Sequence, residues 1–353
     1  MNRTERLNKL NTEGSKRILI LDGSMGAYLQ GFGLTMNDFH GTRFIEHPMS
    51  LKGDTDVLTL TQPETITKVH EAYIGAGADI ISTNTFTATR ISQAEYALED
   101  VVYEINIEAA RLAREVCDRA EAVDGKPRAV AGAVGPTTKL LSMSPEVGDP
   151  GRRDCDFDTM AAGYEEQILA LIEGGADLLL IETITDTLNA KAALWAAWEA
   201  FDKTGVELPL WISGTITDRS GRTLSGQTVE AFYNSVRHAN PWAVGLNCAL
   251  GPQDMRAFLA DLSRVAECLV GAYPNAGLPN AMGGYDETPH SMEAHYAEWA
   301  KAGLLNIAGG CCGTTPDHIT HMKHAVEGLT PRKPAPRHAK LRLAGLEPFN
   351  AAA

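Results

Sequence analysis

The segment Gly174-Gly175-Ala176-Asp177-Leu178-Leu179-Leu180-Ile181-Glu182-Thr183 contains the unit from which the whole chain is built. A helical pattern over residues 157–173 leads into the two glycines, and an apolar run follows at 177–181. Such an uninterrupted apolar run is typical of a parallel strand that is buried on both faces. The run stops at Glu182. The segment therefore predicts a helix, a turn, a buried strand and a polar residue at the carboxyl end of that strand.

The same unit recurs along the chain. Apolar, strand-like runs lie at residues 17–22, 78–83, 128–134, 177–181, 210–214, 243–247, 268–273 and 305–308. Helical patterns follow them at residues 63–75, 91–122, 157–173, 187–203, 228–239, 252–266, 291–302 and 316–327. Strands that alternate with helices pair in parallel through right-handed crossovers, and eight such units close into a barrel. We therefore predict an α/β protein whose (β/α)8 TIM barrel spans residues 17–328.

The remaining segments flank or interrupt this barrel. Residues 1–16 form a polar, charged N-terminal leader, and residues 31–63 are irregular enough to predict an extended loop on the active face. Residues 329–353 contain four prolines and several basic side chains, which is typical of a C-terminal tail or linker. A docking segment and an extended cover on the barrel are alternative interpretations of this tail.

Composition limits the kind of partner that the protein can have. The chain has 353 residues, of which 44% are hydrophobic and 22% charged, and its formal net charge of −14 argues against nucleic acid or an anionic membrane. No apolar run approaches the roughly 20 residues that span a bilayer, and the leader lacks the pattern of a signal peptide. The six cysteines show no framework of short spacings, so we expect a reducing, cytoplasmic setting.

Polar residues follow directly after many of the predicted strands. In a (β/α)8 barrel the carboxyl ends of all strands meet at one rim, and that rim carries the chemistry. The residues predicted to lie there are Asp22, Asn84, Glu182, Cys248, Asn275, Cys311 and Cys312.

The cysteines among these residues predict a metal centre. Cys311 and Cys312 are adjacent in the glycine-rich turn at 309–313, and an adjacent pair at a strand end cannot place both side chains in the core. With Cys248 they supply three thiolates, a donor set that selects zinc and leaves one position free. We expect Cys117 and Cys268 to be buried structural residues, whereas Cys155 stays undecided. His318 is expected to be a surface or helix-capping residue rather than a fourth ligand.

The predicted centre suggests a reaction at sulfur. Three thiolates make zinc a weak Lewis acid for water or carbonyl groups, but the ion still lowers the pKa of an incoming thiol. Alkylation of a substrate thiol is therefore favoured over hydrolysis. Asp22 and Glu182 are candidates to bind a substrate ammonium, and the backbone N–H groups of Gly23, Ser24 and Met25 are candidates to bind its carboxylate.

Several motifs together resemble the homocysteine S-methyltransferase family. They are the stretches 22–26, 83–86, 181–183, 213–218, 245–248, 274–277 and 309–313, which keep their order along the chain. The resemblance implies a (β/α)8 barrel with Zn²⁺ on Cys248, Cys311 and Cys312 and with homocysteine sulfur as the fourth ligand. It further implies that Asp22 and Glu182 contact the amino group, that Asn84 belongs to the substrate site, and that Asn275 fills the fourth zinc position when substrate is absent.

Within this family, residues 213–226 and 275–280 are most similar to the homocysteine-binding module of cobalamin-dependent methionine synthase. That likeness implies methylcobalamin as the methyl donor, and methionine as the product. The full methionine synthase carries further modules, so we expect separate corrinoid-binding and folate-binding proteins as partners. The alternative is a corrinoid-independent enzyme that uses betaine, S-methylmethionine or dimethylsulfoniopropionate. Such a donor calls for an aromatic cage, for which Phe86, Tyr273 and Tyr285 are candidates.

Two further hypotheses receive less support from the residues. A zinc hydrolase on the same scaffold would use histidine or carboxylate ligands and a base beside the metal. A binding module with a structural zinc would need a fourth cysteine or histidine ligand, and none is apparent in the sequence.

Overall fold

The computed structural model describes residues 1–278 and 285–351, and within them eight parallel strands form one closed barrel. The strands are β1 (Leu19–Ile20), β2 (Ile80–Ser82), β3 (Ala129–Val134), β4 (Leu178–Ile184), β5 (Leu210–Gly214), β6 (Ala243–Asn247), β7 (Leu269–Tyr273) and β8 (Ile307–Ala308). Consecutive strands pair from β2 to β8, β1 pairs with β8, and the bridge between Leu21 and Ile80 joins β1 to β2. The predicted (β/α)8 barrel is confirmed. Pro279 and Asn280 of the 275–280 motif, and Ala352 and Ala353 of the tail, lie outside the described residues.

Helices surround the barrel and connect its strands. They are α1 (Arg3–Gly14), α2 (Met25–Gln30), α3 (Met36–His40), α4 (Leu58–Thr61), α5 (Pro63–Ala76), α6 (Arg90–Gln93), α7 (Val102–Asp124), α8 (Phe157–Gly174), α9 (Thr187–Thr204), α10 (Val229–Val236), α11 (Pro252–Val265), α12 (Pro289–Lys301) and α13 (Pro316–Val326). Pro63, Pro289 and Pro316 each occupy the first turn of a helix, where the missing N–H is tolerated. Within the described residues, none of the helices has both the length and the apolar character needed to cross a membrane.

Side chains fill the interior of the barrel, so it is a packed core rather than a pore. Trp211 of β5 is fully buried there, and its ring meets the ring of Tyr273 edge to face at 5.6 Å between centroids. The close approach of Trp211 explains two glycines. A Cβ atom on Gly271 would lie 2.3 Å from the Trp211 ring, and one on Gly245 would lie 3.0 Å from Trp211 Nε1. Large and small residues thus alternate across neighbouring strands.

The N-terminal leader closes the bottom of this barrel as helix α1. The helix begins at a capping box, in which Asn2 and Glu5 bond each other's backbone N–H groups. Leu10 is fully buried and packs with the barrel-interior residues. Arg6 is buried as well, and its guanidinium group donates hydrogen bonds to Glu121 and Asp177. Residues 3–14 are therefore an integral part of the packed structure.

Two sequence predictions are wrong in their details. The stretch at 91–122 is not one continuous helix, because α6 and the short 3₁₀ turns Ala94–Tyr96 and Glu99–Val101 precede α7. Ala97, which follows the turn Ala94–Tyr96, has a φ of 52° and ends the helical segment there in a left-handed conformation. The sequence has no glycine or proline at this position that would have predicted the break. The region 31–63 is also not fully extended, since it contains α3, α4 and the start of α5.

The C-terminal tail lies along the outside of the barrel. Arg332 is buried, and its guanidinium group donates to the backbone carbonyls of Ser263, Ala266 and Cys268. Two further strands, β9 (Arg342–Ala344) and β10 (Pro348–Asn350), form an antiparallel hairpin. This hairpin packs on α10, where Asn234 Nδ2 donates to the carbonyl of Leu343 at 3.2 Å.

Candidate metal centre and substrate site

The carboxyl ends of β6 and β8 bring the three predicted cysteines together. Cys248 directly follows β6, and Cys311 and Cys312 lie in the turn after β8. The Sγ atom of Cys312 lies 3.9 Å from that of Cys248 and 3.9 Å from that of Cys311. All three sulfurs lie within 4.8 Å of one another, and all three residues are half-buried. The sequence prediction that these thiols converge is confirmed by this arrangement.

A strained turn aims Cys248 at the other two cysteines. Cys248 and Ala249 have φ values of 60° and 55°, which non-glycine residues seldom adopt. The preceding residue, Asn247, is fully buried, and its side chain bonds Ser213 Oγ at 2.8 Å and Thr183 Oγ1 at 2.7 Å. A left-handed conformation of a non-glycine residue is costly and persists only where the surrounding structure holds it in place. Such residues are found mainly at functional sites.

Backbone contacts fix the adjacent pair. Cys311 N–H donates to the carbonyl of Pro274 at 2.9 Å, and the carbonyl of Cys312 accepts from Ala276 N–H at 2.8 Å. The turn also needs its glycines. A Cβ atom on Gly310 would lie 2.4 Å from Thr314 Oγ1, whereas Gly313 has a φ of 82° and a Cβ there would lie 2.3 Å from the ring of Tyr285. The exit of β7 therefore braces the double-cysteine turn from the side that faces Cys248.

The geometry fits a zinc ion. Tetrahedral zinc with Zn–S bonds of about 2.3 Å requires sulfurs about 3.8 Å apart. The 3.9 Å separations agree with that requirement without any rearrangement of the turn. Hydrogen bonds from the thiols of Cys248 and Cys311 lower the pKa of Cys312, so the cluster favours a thiolate at this position. Cys248, Cys311 and Cys312 are thus suited to hold the ion.

Asn275, the predicted fourth zinc ligand in the absence of substrate, lies beside this cluster. Its backbone N–H donates to the carbonyl of Leu250 at 3.1 Å, which places it between the Cys248 turn and the segment that braces Cys311. The side chain is buried, and within the described residues its Oδ1 atom has no hydrogen-bond partner. A buried acceptor normally has a partner. This Oδ1 atom is therefore available to coordinate a metal ion, and the role of Asn275 as the fourth zinc ligand stays a prediction.

Asp22 lies at the end of β1 and belongs to the same mouth. Its carbonyl accepts a hydrogen bond from Gly310 N–H at 3.1 Å, so the end of β1 is joined to the cysteine turn. Its carboxylate is buried and accepts bonds from Ser82 N–H at 2.8 Å and from Ser82 Oγ at 3.1 Å. Burial raises the pKa of Asp22 to about 7, although the bonds from Ser82 oppose this shift.

Glu182 lies near the end of β4 and is the second buried carboxyl group of the site. Burial, together with the nearby charges of Asp22 and Cys312, raises its pKa to about 8. This influence agrees with a position of the two carboxyl groups and the thiols at one mouth of the barrel. Neither acid has a basic partner among the described residues, so the pair is suited to bind a cation, such as the ammonium group of an amino acid.

The turn at residues 23–25 adjoins Asp22. Ser24 caps α2 by accepting from Ala27 N–H at 3.1 Å, and Ser24 N–H donates to Thr314 Oγ1 at 3.2 Å. The N–H of Ser24 is thus engaged by the protein. In the described part of the chain, the N–H groups of Gly23 and Met25 have no protein acceptor. The predicted carboxylate site at these residues therefore retains two donors rather than three.

Asn84, the other predicted substrate residue, is directed to a loop next to the barrel mouth. Its Nδ2 atom donates to the carbonyl of Thr55 at 2.7 Å and to Thr59 Oγ1 at 3.2 Å. The amide nitrogen thus holds the segment that leads into α4. The structure gives it no contact with Asp22, Glu182 or the cysteines, and its substrate role stays a prediction.

Three residues of the site were not singled out as site residues by the sequence. Ser82 is the last residue of β2 and donates a hydrogen bond to Asp22. Because it is a polar residue at a strand end, the sequence pattern could have identified it. Thr314 follows the cysteine turn and bonds both Cys311 O and Ser24 N. Tyr285, considered only for an aromatic cage, packs on Gly313, and its hydroxyl lowers the pKa of Cys312. No local pattern predicts that contact.

The predicted burial of Cys117 and Cys268 and the predicted capping role of His318 are confirmed, whereas the sequence left Cys155 undecided. Cys117 and Cys268 are buried, whereas Cys155 is half-buried in a loop away from the cluster. His318 caps α13 in a capping box with Thr315, and its Nε2 bonds the carbonyl of Glu287 at 3.1 Å. It is thus engaged as a cap and is not a zinc ligand.

Comparison with solved structures agrees with this fold. The chain is similar to the homocysteine methyltransferase MmuM from Escherichia coli. The metallated form has a TM-score of 0.69 at 24% identity, over 90% of this chain and 99% of that chain. The oxidized form gives 0.68 at 23% identity, over 87% and 95% of the two chains. The apo form gives 0.63 at 23% identity, over 88% and 96%. At such identities the likeness shows the fold.

A family profile gives the more specific result. The profile described as Homocysteine S-methyltransferase matches residues 19–326, from β1 to the end of α13. The match includes the three cysteines and both buried carboxyl groups, and only α1 and the C-terminal tail lie outside it. This chain belongs to the homocysteine S-methyltransferase family.

Proposed function

We propose that this protein is a zinc-dependent methyltransferase that converts homocysteine to methionine. The observation that carries the proposal is the convergence of three cysteine sulfurs, with 3.9 Å separations, at the ends of β6 and β8. Membership of the family supports homocysteine as the methyl acceptor. Because the reaction needs reduced thiols, we place it in a reducing compartment such as the cytoplasm.

The ion has one chemical task. Zinc held by Cys248, Cys311 and Cys312 would lower the pKa of a substrate thiol, so that the sulfur is nucleophilic at neutral pH. The all-sulfur donor set counts against a hydrolase, since water activation is typical of sites with histidine or carboxylate ligands. A purely structural site is disfavoured as well, because the described residues provide no fourth cysteine or histidine at the cluster.

The remaining residues orient the amino acid. Asp22 and Glu182 form a buried acidic pair that would accept hydrogen bonds from the ammonium group, and the N–H groups of Gly23 and Met25 would donate hydrogen bonds to the carboxylate. With both ends of the amino acid bound, the thiol side chain is directed to the cysteine cluster. Positioning of this kind removes much of the entropic barrier to attack on the methyl group.

We further propose that the methyl group comes from methylcobalamin on a separate corrinoid-binding protein, which a folate-binding protein recharges. The motifs at 213–226 and 275–280 support this donor. In the structure, the 213–226 segment lies at the barrel mouth, where Ser225 N–H donates to the carbonyl of Thr185 at 3.0 Å.

The alternative is a small donor such as betaine, S-methylmethionine or dimethylsulfoniopropionate. Its aromatic cage receives little support from the structure. Tyr273 is buried inside the barrel, and the backbone of Phe86 lies against Gly135 after β3. Among the three candidates, Tyr285 is the one that contacts the cysteine cluster.

A donor screen tests the proposal. Zinc-loaded protein would be given homocysteine with methylcobalamin, betaine, S-methylmethionine or dimethylsulfoniopropionate, and methionine would be measured. We expect product with methylcobalamin alone. Product with a small donor and without corrinoid would replace our donor assignment by the alternative.

A second experiment tests the metal centre. We expect Cys311→Ala to lose one equivalent of bound zinc, that of the cysteine cluster, and to lose methionine formation with any donor, as measured by elemental analysis and product assay. Cys155→Ala is the matched control, because Cys155 is a half-buried cysteine outside the cluster. Full activity of Cys311→Ala without zinc would overturn the proposed chemistry.

A further inference from the structure

A second group of metal-binding side chains lies on the outside of the barrel, between α12 and α13. His290 and Glu293 are one turn apart on α12, and His321 faces them from α13. Glu293 Oε2 lies 2.6 Å from His321 Nδ1 and 3.8 Å from His290 Nδ1. One ligand atom from each residue lies within 4.8 Å of the others. The cluster shares no residue with the cysteine centre.

This donor set is chemically suited to a divalent transition metal. Two imidazole nitrogens and one carboxylate oxygen form a common zinc site, and a carboxylate and a histidine three residues apart are a known way to present ligands from one helix. Glu293 Oε2 and His321 Nδ1 face each other from the two helices, so one metal ion between α12 and α13 can reach both.

The geometry needs little adjustment. Ligand atoms around tetrahedral zinc, with bonds of about 2.0–2.1 Å, lie roughly 3.3 Å apart. The observed separations of 2.6 Å and 3.8 Å lie on either side of that value. His290 is 91% exposed, so its ring can rotate without disturbing any packing. Glu293 and His321 are each about one-third exposed, so a metal ion can reach them from solvent.

We propose that His290, Glu293 and His321 form a second Zn²⁺ site, with its fourth position open to water. The site is independent of the proposed reaction. Its effect would be to join α12 to α13, the two helices that flank the cysteine centre on the outside. α13 follows the double-cysteine turn, and the segment before α12 carries Tyr285, which packs on Gly313. A metal at the helix pair would therefore stiffen the frame of the cysteine centre.

Metal stoichiometry tests this site in the full chain. Protein would be dialysed to equilibrium against micromolar Zn²⁺ and analysed for bound metal. We expect two equivalents in the native chain and one in His321→Gln and in Glu293→Gln. His290→Gln should weaken the second equivalent by at least about tenfold, since the loss of even an outer-shell partner weakens metal sites by that factor. His338→Gln, a change of an exposed histidine in the tail, is the control that should keep both equivalents.

Thermal unfolding supplies a second readout. Zn²⁺ added beyond the first equivalent should raise the unfolding midpoint of the native chain and of His338→Gln, and should raise that of His290→Gln by less, because its second site is weaker. Since His290 is almost fully exposed, its replacement leaves the fold intact and the comparison is clean. Bound zinc that stays at the native amount in His321→Gln, Glu293→Gln and His290→Gln, whether that amount is one equivalent or two, would overturn the proposal. Failure of the cysteine centre would instead remove the equivalent that these variants retain.

Discussion

Asp22 and Glu182 show how burial determines the chemistry of single residues in this barrel. Their pKa values of about 7 and about 8 mean that the metal-free site, without a bound cation, takes up protons near neutrality. An ammonium group placed between them would favour their ionised forms, because opposite charges attract strongly in a buried site. Under the proposed function, recognition of the amino group would therefore be linked to the release of protons from these carboxyl groups.

This linkage predicts a pH dependence of substrate binding. Below its pKa each carboxyl group must lose a proton before it binds the ammonium, so homocysteine affinity should fall as pH falls below 8. The expected loss is about tenfold per pH unit for each protonated group. Calorimetric titration of zinc-loaded protein between pH 6 and pH 9 would measure it.

The thiol of homocysteine also titrates in this range, so a control is needed. Glu182→Gln removes one of the two acids and should make the dependence shallower by about one power of ten per pH unit below pH 8. Identical slopes in the native protein and in Glu182→Gln would contradict the assigned role of Glu182.

At the scale of single elements, the turn between β1 and α2 depends on one glycine. A Cβ atom on Gly23 would lie 2.9 Å from Thr314 Oγ1 and 2.9 Å from the ring of Tyr73. Tyr73 is fully buried in α5, and Thr314 follows the cysteine turn. The absence of a side chain at Gly23 thus allows α2, α5 and the metal-binding turn to approach one another.

We therefore predict opposite effects for two alanine substitutions a few residues apart. Gly23→Ala should reduce the free energy of unfolding by about 1–3 kcal/mol through overpacking, and should weaken homocysteine binding. Gly26→Ala is the matched control. Its Cβ would meet nothing within 4 Å, so helix propensity should stabilise α2 by roughly 0.5–1 kcal/mol. Urea unfolding measures both values, and equal effects would show that the turn is more adaptable than its packing indicates.

Helix α1 gives a second prediction at this scale. Arg6→Ala would leave the buried carboxylate of Asp177 with fewer partners, although Arg114 still donates to it at 2.8 Å. Removal of one member of a buried ion pair costs about 3 kcal/mol or more, so α1 should detach at lower urea concentration. Arg111→Ala, which removes an exposed pair with Glu108, should cost roughly 0–1 kcal/mol. A cost below 1 kcal/mol for Arg6→Ala would show that α1 contributes little to the barrel.

At the scale of the molecule, the barrel and its rim could be predicted from the sequence. The apolar runs that alternate with helical patterns, and the polar residues that end these runs, are visible within short stretches of sequence. Residues such as Glu182 and Cys248 were found for that reason. The docking of α1 under the barrel and the contact of Tyr285 with Gly313 depend on long-range packing. The break at Ala97 was missed because a non-glycine residue adopts a positive φ there. Each of these features is set by tertiary contacts that override local preference.

The proposed zinc centre would act at the scale of the whole barrel. Its three cysteine ligands follow β6 and β8, and β7 lies between these two strands in the sheet. A bound ion would therefore join two strand ends that are otherwise connected through the hydrogen bonds of β7. A ligand that binds only the folded chain adds RT ln(1 + [L]/Kd) to stability, which is about 4 kcal/mol when free zinc is 1,000 times Kd. We expect a strong chelator to lower the thermal midpoint of the native protein and of Cys155→Ala by a larger amount than that of Cys311→Ala, which keeps only the proposed site between α12 and α13. An equal response in all three proteins would mean that the ion is not held across β6 and β8, because Cys311 would then contribute nothing to its binding.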